Sequence, residues 1–314
     1  MWSERDIRSN MLRSIMLGLA GNDTVTHLVS QNGISKGFAL RFVAGETFDE
    51  ALAIVRELNA NGMAVTLDAL GENVSGAAEA KAASAQYLTM LEGIAAAGAN
   101  STMSLKLTML GLDISDDVCR ANLRPVLERV RDLDTFVRID MEGSTYTRRT
   151  LDLFYEYHQE FGDHIGIVLQ SYLYRTGKDV EHAIARHARV RLVKGAYNEP
   201  PAVAYPRKET VDSAYRREME MLLERGNYPA VATHDETLIE AARDFVARNR
   251  VPNERFEFQM LYGVRRDLQE QLTKAGYNVR VYVPFGRQWY PYFMRRMAER
   301  PANLLFVLKN LAKT

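Results

Sequence analysis

The sequence predicts an α/β chain folded as a (β/α)8 TIM-type barrel. Eight short apolar runs recur along the chain, and their starts lie roughly two dozen to forty residues apart, which leaves room for a crossover helix but excludes hairpins. A polar loop and an amphipathic helix follow each of the first seven. No Gly-x-Gly-x-x-Gly follows any of the runs, so the competing doubly wound dinucleotide fold lacks its phosphate-binding turn. From Gly62 to the C-terminus the chain has the length of a barrel core, about 250 residues.

Taken in order, the residues up to about Ala44 read as helices and connections outside the repeat, with a loop at Asn32-Gly33-Ile34. Thr47-Phe48-Asp49-Glu50 offers an N-cap with an acid three residues on. The helix it opens carries Ala51, Ile54, Val55 and Leu58 on one face and stops at Asn61-Gly62. Residues 1–61 are therefore expected to form a helical segment packed on the barrel of residues 62–314. The strands are expected at Val65–Asp68, Thr102–Leu107, Phe136–Met141, Ile165–Gln170, Val190–Lys194, Ala230–His234, Phe256–Leu261 and Val279–Val283. The helices between them are read at Gly76–Gly98, Asp117–Asp132, Tyr146–Phe161, Asp179–Ala188, Val211–Gly226, Glu236–Arg248 and Arg265–Gly276, several ending at glycine. Pro284-Phe285-Gly286 reads as a turn, and a last helix opens at Trp289, with Pro291 near its first turn.

Forty basic residues balance forty acidic ones, and no basic run is present, which argues against a nucleic-acid partner and for a small molecule. The single cysteine, Cys119, excludes an intramolecular disulfide framework and reads as a small buried residue in a reducing compartment. Arg5, Arg8 and Arg13 precede a short apolar run from Ile15 to Ala20. Glu4 and Asp6 interrupt the positive region, and the stretch reads as an amphipathic helix rather than a secretory signal. No run reaches the length of a membrane span, so the expectation is a cytoplasmic protein able to touch the inner face of the membrane peripherally.

In such barrels the C-terminal strand ends carry the chemistry. Here they offer Asp68 and Glu72, then Lys106, Asp140 with Glu142, Gln170, Arg191 with Lys194, Thr233-His234-Asp235, Gln259 with Leu261, and Tyr282. Each alone reads equally well as a satisfied polar residue; their recurrence at nearly every strand end favours a site. Of six histidines only His234 lies at a strand end, and no histidine–carboxylate pair has ligand spacing, so no catalytic metal is expected. On the last helix Tyr292, Arg295, Arg296 and Glu299 share one face. Two guanidiniums there, with Lys106 opposite, would clamp a carboxylate; the plainer reading is a solvated Arg-Arg face paired to Glu299.

Arg-Leu-Val-Lys-Gly-Ala-Tyr at 191–197, Ala-Thr-His at 232–234, Phe-Glu-Phe-Gln-Met-Leu-Tyr-Gly at 256–263 and Tyr-Phe-Met-Arg-Arg-Met-Ala-Glu at 292–299 closely resemble the proline dehydrogenases, in order and from about Gly62 onward. The resemblance, in size that of the monofunctional bacterial enzymes, implies a distorted barrel with its last helix over the mouth. It implies FAD as cofactor and oxidation of L-proline to Δ1-pyrroline-5-carboxylate by hydride transfer to flavin N5. It also implies a quinone as electron acceptor and a separate pyrroline-5-carboxylate dehydrogenase as the next enzyme. It assigns Asp140 and Arg191 to catalysis, and Lys106, Arg295 and Arg296 to the proline carboxylate. Glu299 and Tyr282 would hold the arginines or shape the pocket, and Leu261 and Tyr292 would pack on the ring. Met141, Gln170, Arg191, Lys194, Gly195, Ala196, Thr233 and His234 fall at FAD-contacting positions. Asn198 stands where many members carry Trp. Two readings from other classes stay open: a Schiff-base aldolase using Lys106 or Lys194, and a non-catalytic binding barrel.

Overall fold

The computed structural model describes residues 41–71, 74–290 and 292. Its eight strands are β1 (Ala64–Ala69), β2 (Ser101–Leu105), β3 (Val137–Ile139), β4 (Ile165–Gln170), β5 (Arg189–Val193), β6 (Ala230–Ala232), β7 (Glu257–Leu261) and β8 (Val279–Phe285). Each pairs in parallel with the next, and β8 pairs with β1 to close the barrel. The helices are α1 (Phe48–Ala60), α2 (Ala77–Ala96), α3 (Asp116–Asp132), α4 (Ser144–Phe161), α5 (Thr176–Ala185), α6 (Lys208–Arg225), α7 (Glu236–Asn249) and α8 (Arg266–Lys274).

The predicted α1 cap forms. The Thr47 hydroxyl accepts from the Glu50 amide, and the Glu50 carboxylate returns to the Thr47 amide at 3.0 Å. Ala51, Leu52, Val55 and Leu58 are buried, and α1 packs on β1 and β8, with Phe48 edge-on to Phe285 at 6.1 Å. The seam between the last strand and the first is thus covered by a helix that precedes the barrel. After β8, Trp289, Tyr290 and Tyr292 are helical.

Several boundaries differ from the sequence reading. Lys106, Asp140, Met141, Lys194, Thr233 and His234 lie just beyond their strands, where the chain has left the ladder and side chains turn over the mouth. Pro284 and Phe285 belong to β8, not to a turn: they pair with Asp68 and Ala69, and the Pro284 carbonyl accepts from the Ala44 amide at 2.8 Å. Helix α5 begins three residues early, since Thr176 anchors its first turn through a hydroxyl bond to the Gln170 carbonyl, and it ends at Ala185.

Alternation along the strands sorts the barrel into two environments. Val65, Leu67, Met103, Leu105, Val281 and Val283 are fully buried against the helices. Their alternates Thr66, Asp68, Ser104, Arg138, Arg191, Glu257 and Gln259 are buried polar groups and Arg280 is half-buried; Ser104, Arg191, Gln259, Glu257 and Arg280 form one bonded chain across the interior. Bulky aliphatic layers usually fill such a barrel; here charge does. Gly166 makes room for one of these groups. A methyl there would lie 2.8 Å from the Arg189 carbonyl and 3.0 Å from the Arg138 guanidinium, which donates to the Arg189 and Ile167 carbonyls.

Because the α1 cap holds the helix that closes the seam, Thr47→Ala is expected to lower stability by about 1 kcal/mol. Denaturant unfolding would read this as a lower midpoint at unchanged slope.

Candidate active site

At the C-terminal mouth the Asp140 carboxylate is the meeting point. Its Oδ1 accepts from Arg191 Nη1 at 2.9 Å, its Oδ2 accepts from the Tyr282 hydroxyl at 2.7 Å, and Lys106 Nζ lies 3.8 Å from Oδ2. Lys106 donates to Asp68 Oδ1 at 2.6 Å. Strands β1, β3, β5 and β8 and the end of β2 therefore each send one group to a single cluster. Arg191 is held from three sides: besides Asp140, its Nε donates to Gln259 Oε1 at 2.5 Å and its Nη2 to Ser104 Oγ at 3.2 Å. Its guanidinium carbon also lies 5.0 Å from the Tyr282 ring centre. Alanines on β6 make the Arg191–Gln259 contact possible. Ala230 stands beside Arg191 and Ala232 beside Gln259 in register, so nothing larger than a methyl separates residues two strands apart.

Burial works against the Lys106 ammonium, but the Asp68 and Asp140 carboxylates outweigh it and hold its pKa well above the ordinary lysine value. Burial raises Asp68 above the usual carboxylate value against the pull of Lys106. Burial and then Asp140 keep the Tyr282 phenol protonated. A lysine held charged is a poor amine nucleophile, which weighs against the aldolase reading at Lys106.

The other side of the mouth is built from β4, β5 and β6. Gln170 Nε2 donates to the Glu142 carbonyl at 3.0 Å, and Glu142 itself binds the Thr108 hydroxyl at 2.6 Å. Lys194 bridges Asp212 at 2.5 Å and Asp235 at 2.8 Å, and Asp235 caps α7 through the Thr237 amide. Thr233 Oγ1 accepts from the Asp235 amide, leaving its O–H to donate elsewhere. His234 Nε2 accepts from the Leu261 amide at 2.9 Å, which puts the proton of a neutral ring on Nδ1. Gly195 has φ +121°, and a side chain there would strike the Tyr172 ring at 2.4 Å. Past β5, among the described residues, no protein acceptor takes the Gly195 or Ala196 amide. The Gly195 and Ala196 amides and the Thr233 hydroxyl are thus left as donors able to meet ligand oxygens, while Lys194 is paired to two carboxylates.

The structure thus brings Lys106, Asp140, Arg191 and Tyr282 into contact. It sets Gln170, Lys194, Gly195, Ala196, Thr233 and His234 along the adjoining rim, with Met141 and Tyr292 buried and Leu261 half-buried. Glu72, Arg295, Arg296 and Glu299 lie outside the described residues. The sequence reading counted Gln259 among the strand-end candidates but assigned no role to Ser104, Glu257 or Arg280. Their signal was available as period-two spacing: Ser104 precedes Lys106, Glu257 and Gln259 precede Leu261, and Arg280 precedes Tyr282 on the same strand face.

Fold and site together define an α/β barrel with a cluster of paired charges at its C-terminal mouth. A family model described as proline dehydrogenase matches residues 51–309. The chain is 43% identical over 303 residues to proline dehydrogenase 1 of Bacillus subtilis (strain 168), covering 96% of this chain and 100% of that one. It is 41% identical over 307 residues to the proline dehydrogenase of Deinococcus radiodurans, at 96% and 98% coverage. The proline utilization A (PutA) crystal structure from Bdellovibrio bacteriovorus, inactivated by N-propargylglycine, superposes with a TM-score of 0.80 at 27% identity. That match covers 92% of this chain but only 37% of the longer PutA chain. The chain belongs to the proline dehydrogenase family.

Lys106→Met is expected to cost about 3–5 kcal/mol, since it leaves Asp68 buried without its cation. Lys106, raised above its unfolded value, stabilises the fold fully below the ordinary lysine pKa and loses that contribution only as pH climbs through the raised one. Unpaired Asp68, pushed up by burial, is tolerated when protonated and costly when charged. The loss should therefore be larger near about pH 8 than near about pH 5. Equal losses at both pH values would contradict an ionised pair.

Proposed function

We propose that this oxidoreductase of proline, acting at the first step of proline catabolism, uses FAD and converts L-proline to Δ1-pyrroline-5-carboxylate. The observation that carries the reading is the Asp140 cluster: a guanidinium, an ammonium and a phenol held by one carboxylate at the mouth of a family-matched barrel. Gln170, Arg191, Lys194, the Gly195 and Ala196 amides, Thr233 and His234 would hold the cofactor, with Met141 beside them. Bound there, the flavin supplies the two-electron acceptor that proline oxidation requires.

The chain's own groups bind and orient. Asp68 and Asp140 balance Lys106 and Arg191, so these four charges sum to zero. A carboxylate entering such a pocket needs further cations, and Arg295 and Arg296 would provide them beside Lys106, with Glu299 and Tyr282 holding the guanidiniums in place. Leu261 and Tyr292 would pack on the pyrrolidine ring. Fixing the carboxylate fixes the ring, and orientation of that kind is worth several kcal/mol, on the order of the gains from intramolecularity. Formation of the C=N bond draws on the nitrogen lone pair, so the amine reacts in its neutral form. Arg191, locked by Asp140, Gln259 and Ser104, keeps positive charge where negative charge accumulates during the reaction. A quinone at the membrane surface would accept the electrons, and a separate pyrroline-5-carboxylate dehydrogenase would take the product.

The purified protein should carry a flavin spectrum that bleaches on anaerobic addition of L-proline. A flavin indifferent to proline would refute the substrate, and a colourless protein that does not take up FAD would refute the cofactor. Arg296→Met should raise the proline KM at least tenfold, the scale of a lost charge-assisted pair, with flavin content unchanged; an unaltered KM would remove Arg296 from the clamp.

A further inference from the structure

We propose that Glu257 and Arg280, deep in the barrel and remote from the mouth, are positioning residues that set the orientation of the Gln259 amide and through it that of the Arg191 guanidinium. The inference rests on the reading of Arg191 above. A glutamine amide has a donor end and an acceptor end, and which one faces a neighbour is decided by what surrounds it. Arg191 Nε can only donate, so it needs the Gln259 oxygen, which it meets at 2.5 Å. On the opposite side, Gln259 Nε2 donates to Glu257 Oε1, likewise at 2.5 Å. A flipped amide would set N–H against N–H at Arg191 and oxygen against oxygen at Glu257. An ionised Glu257 accepts only, so it forbids the flip from the far side.

Glu257 is in turn held rather than merely buried. Arg280 Nε contacts both of its oxygens, at 2.9 and 3.0 Å. The Arg280 Nη1 is tied to the Val65 carbonyl at 2.8 Å and to Thr102 Oγ1 at 3.3 Å. The Tyr228 hydroxyl approaches Glu257 Oε2 at 3.4 Å. Burial opposes the charge on Glu257, but Arg280 and then Arg138 outweigh it and keep its pKa below the ordinary value. The relay therefore starts on β1 and β2, crosses β8 and β7, and ends at Arg191 on β5. At about 3.3 Å per residue along the strand, Glu257 lies a layer of side chains below Gln259 and acts on the mouth only through it.

Two variants test this. Glu257→Gln keeps the shape but removes the charge that fixes the Gln259 amide. Gln259→Leu removes the acceptor of Arg191 and leaves the Glu257–Arg280 pair intact, so it serves if Glu257→Gln fails to fold. Both are expected to slow proline-driven flavin bleaching about tenfold, the scale of one charge-assisted hydrogen bond. The proline KM should stay within about twofold and the flavin potential should become more negative, because the positive charge beside the reduced cofactor is less well placed. Since the first residue acts through the second, Glu257→Gln should add nothing in the Gln259→Leu background. Wild-type rate and potential in either single variant, or additive losses in the double variant, would overturn the relay. The Gln259 side-chain amide can also be followed by nitrogen-15 NMR in flavin-free protein, its signal assigned by its loss in Gln259→Leu. Slow proton exchange that becomes fast in Glu257→Gln supports the relay, and unchanged exchange refutes it, even where proline fails to bleach the wild-type flavin and only the functional reading falls.

Discussion

The mouth of this barrel depends on the pairing of Asp140 with Arg191. A guanidinium in the interior of a parallel barrel is tolerable only if its charge is met and its donors are used, and Asp140, Gln259 and Ser104 do this from three strands. Asp140 needs the cation equally. Its other oxygen takes the Tyr282 hydroxyl and faces Lys106, so without Arg191 one oxygen of a carboxylate only 13% exposed would lose its charged donor. Each member of the cluster is held because the next one is, and that mutual dependence gives rigid placement.

This charge reaches further down than the mouth. Glu257 and Arg138, with Arg280 half-buried beside Glu257, occupy layers that aliphatic side chains usually fill, while the apolar side chains of the same strands face the helices. Such an interior gives up hydrophobic burial for directed bonds, and a single displaced group disturbs its neighbours across several strands. A shift at Gln259 is passed on through directed bonds to Arg191 on one side and Glu257 on the other. Small residues mark where long side chains cross: Gly166 beneath Arg138, and Ala230 and Ala232 between Arg191 and Gln259.

Much of this was legible in the sequence because apolar period and loop chemistry act locally. The eight strands, the capping box at Thr47 and the glycines at 62, 98, 162 and 276, all at positive φ, follow from residues within a few positions of one another. The strand ends that gather at Asp140 were likewise readable, since barrel topology alone brings them together. What was not legible depends on contacts across the barrel. Whether Glu257 is a strand's solvated acid or a buried anchor is decided by Arg280, twenty-three positions away, and by Val65 and Thr102 on the far side. The start of α5 was missed because the hydroxyl of Thr176 finds its acceptor in the preceding strand end.

The closed charge account of the described cluster means that the proposed binding of an anionic substrate would need cations from elsewhere. Lys106 looks like a carboxylate ligand by position, yet Asp68 already holds it at 2.6 Å, and Arg191 is committed to Asp140. A barrel whose own cations are spent on internal carboxylates can attract an anion only with cations brought from outside its strands. The placement of α1 over the β8–β1 seam makes this possible, because it relieves the chain after β8 of the structural duty a final crossover helix normally has. The same economy separates two tasks. Internal pairs hold Arg191 and Lys106 in place, and the proposed arginine clamp would engage a carboxylate without drawing on them.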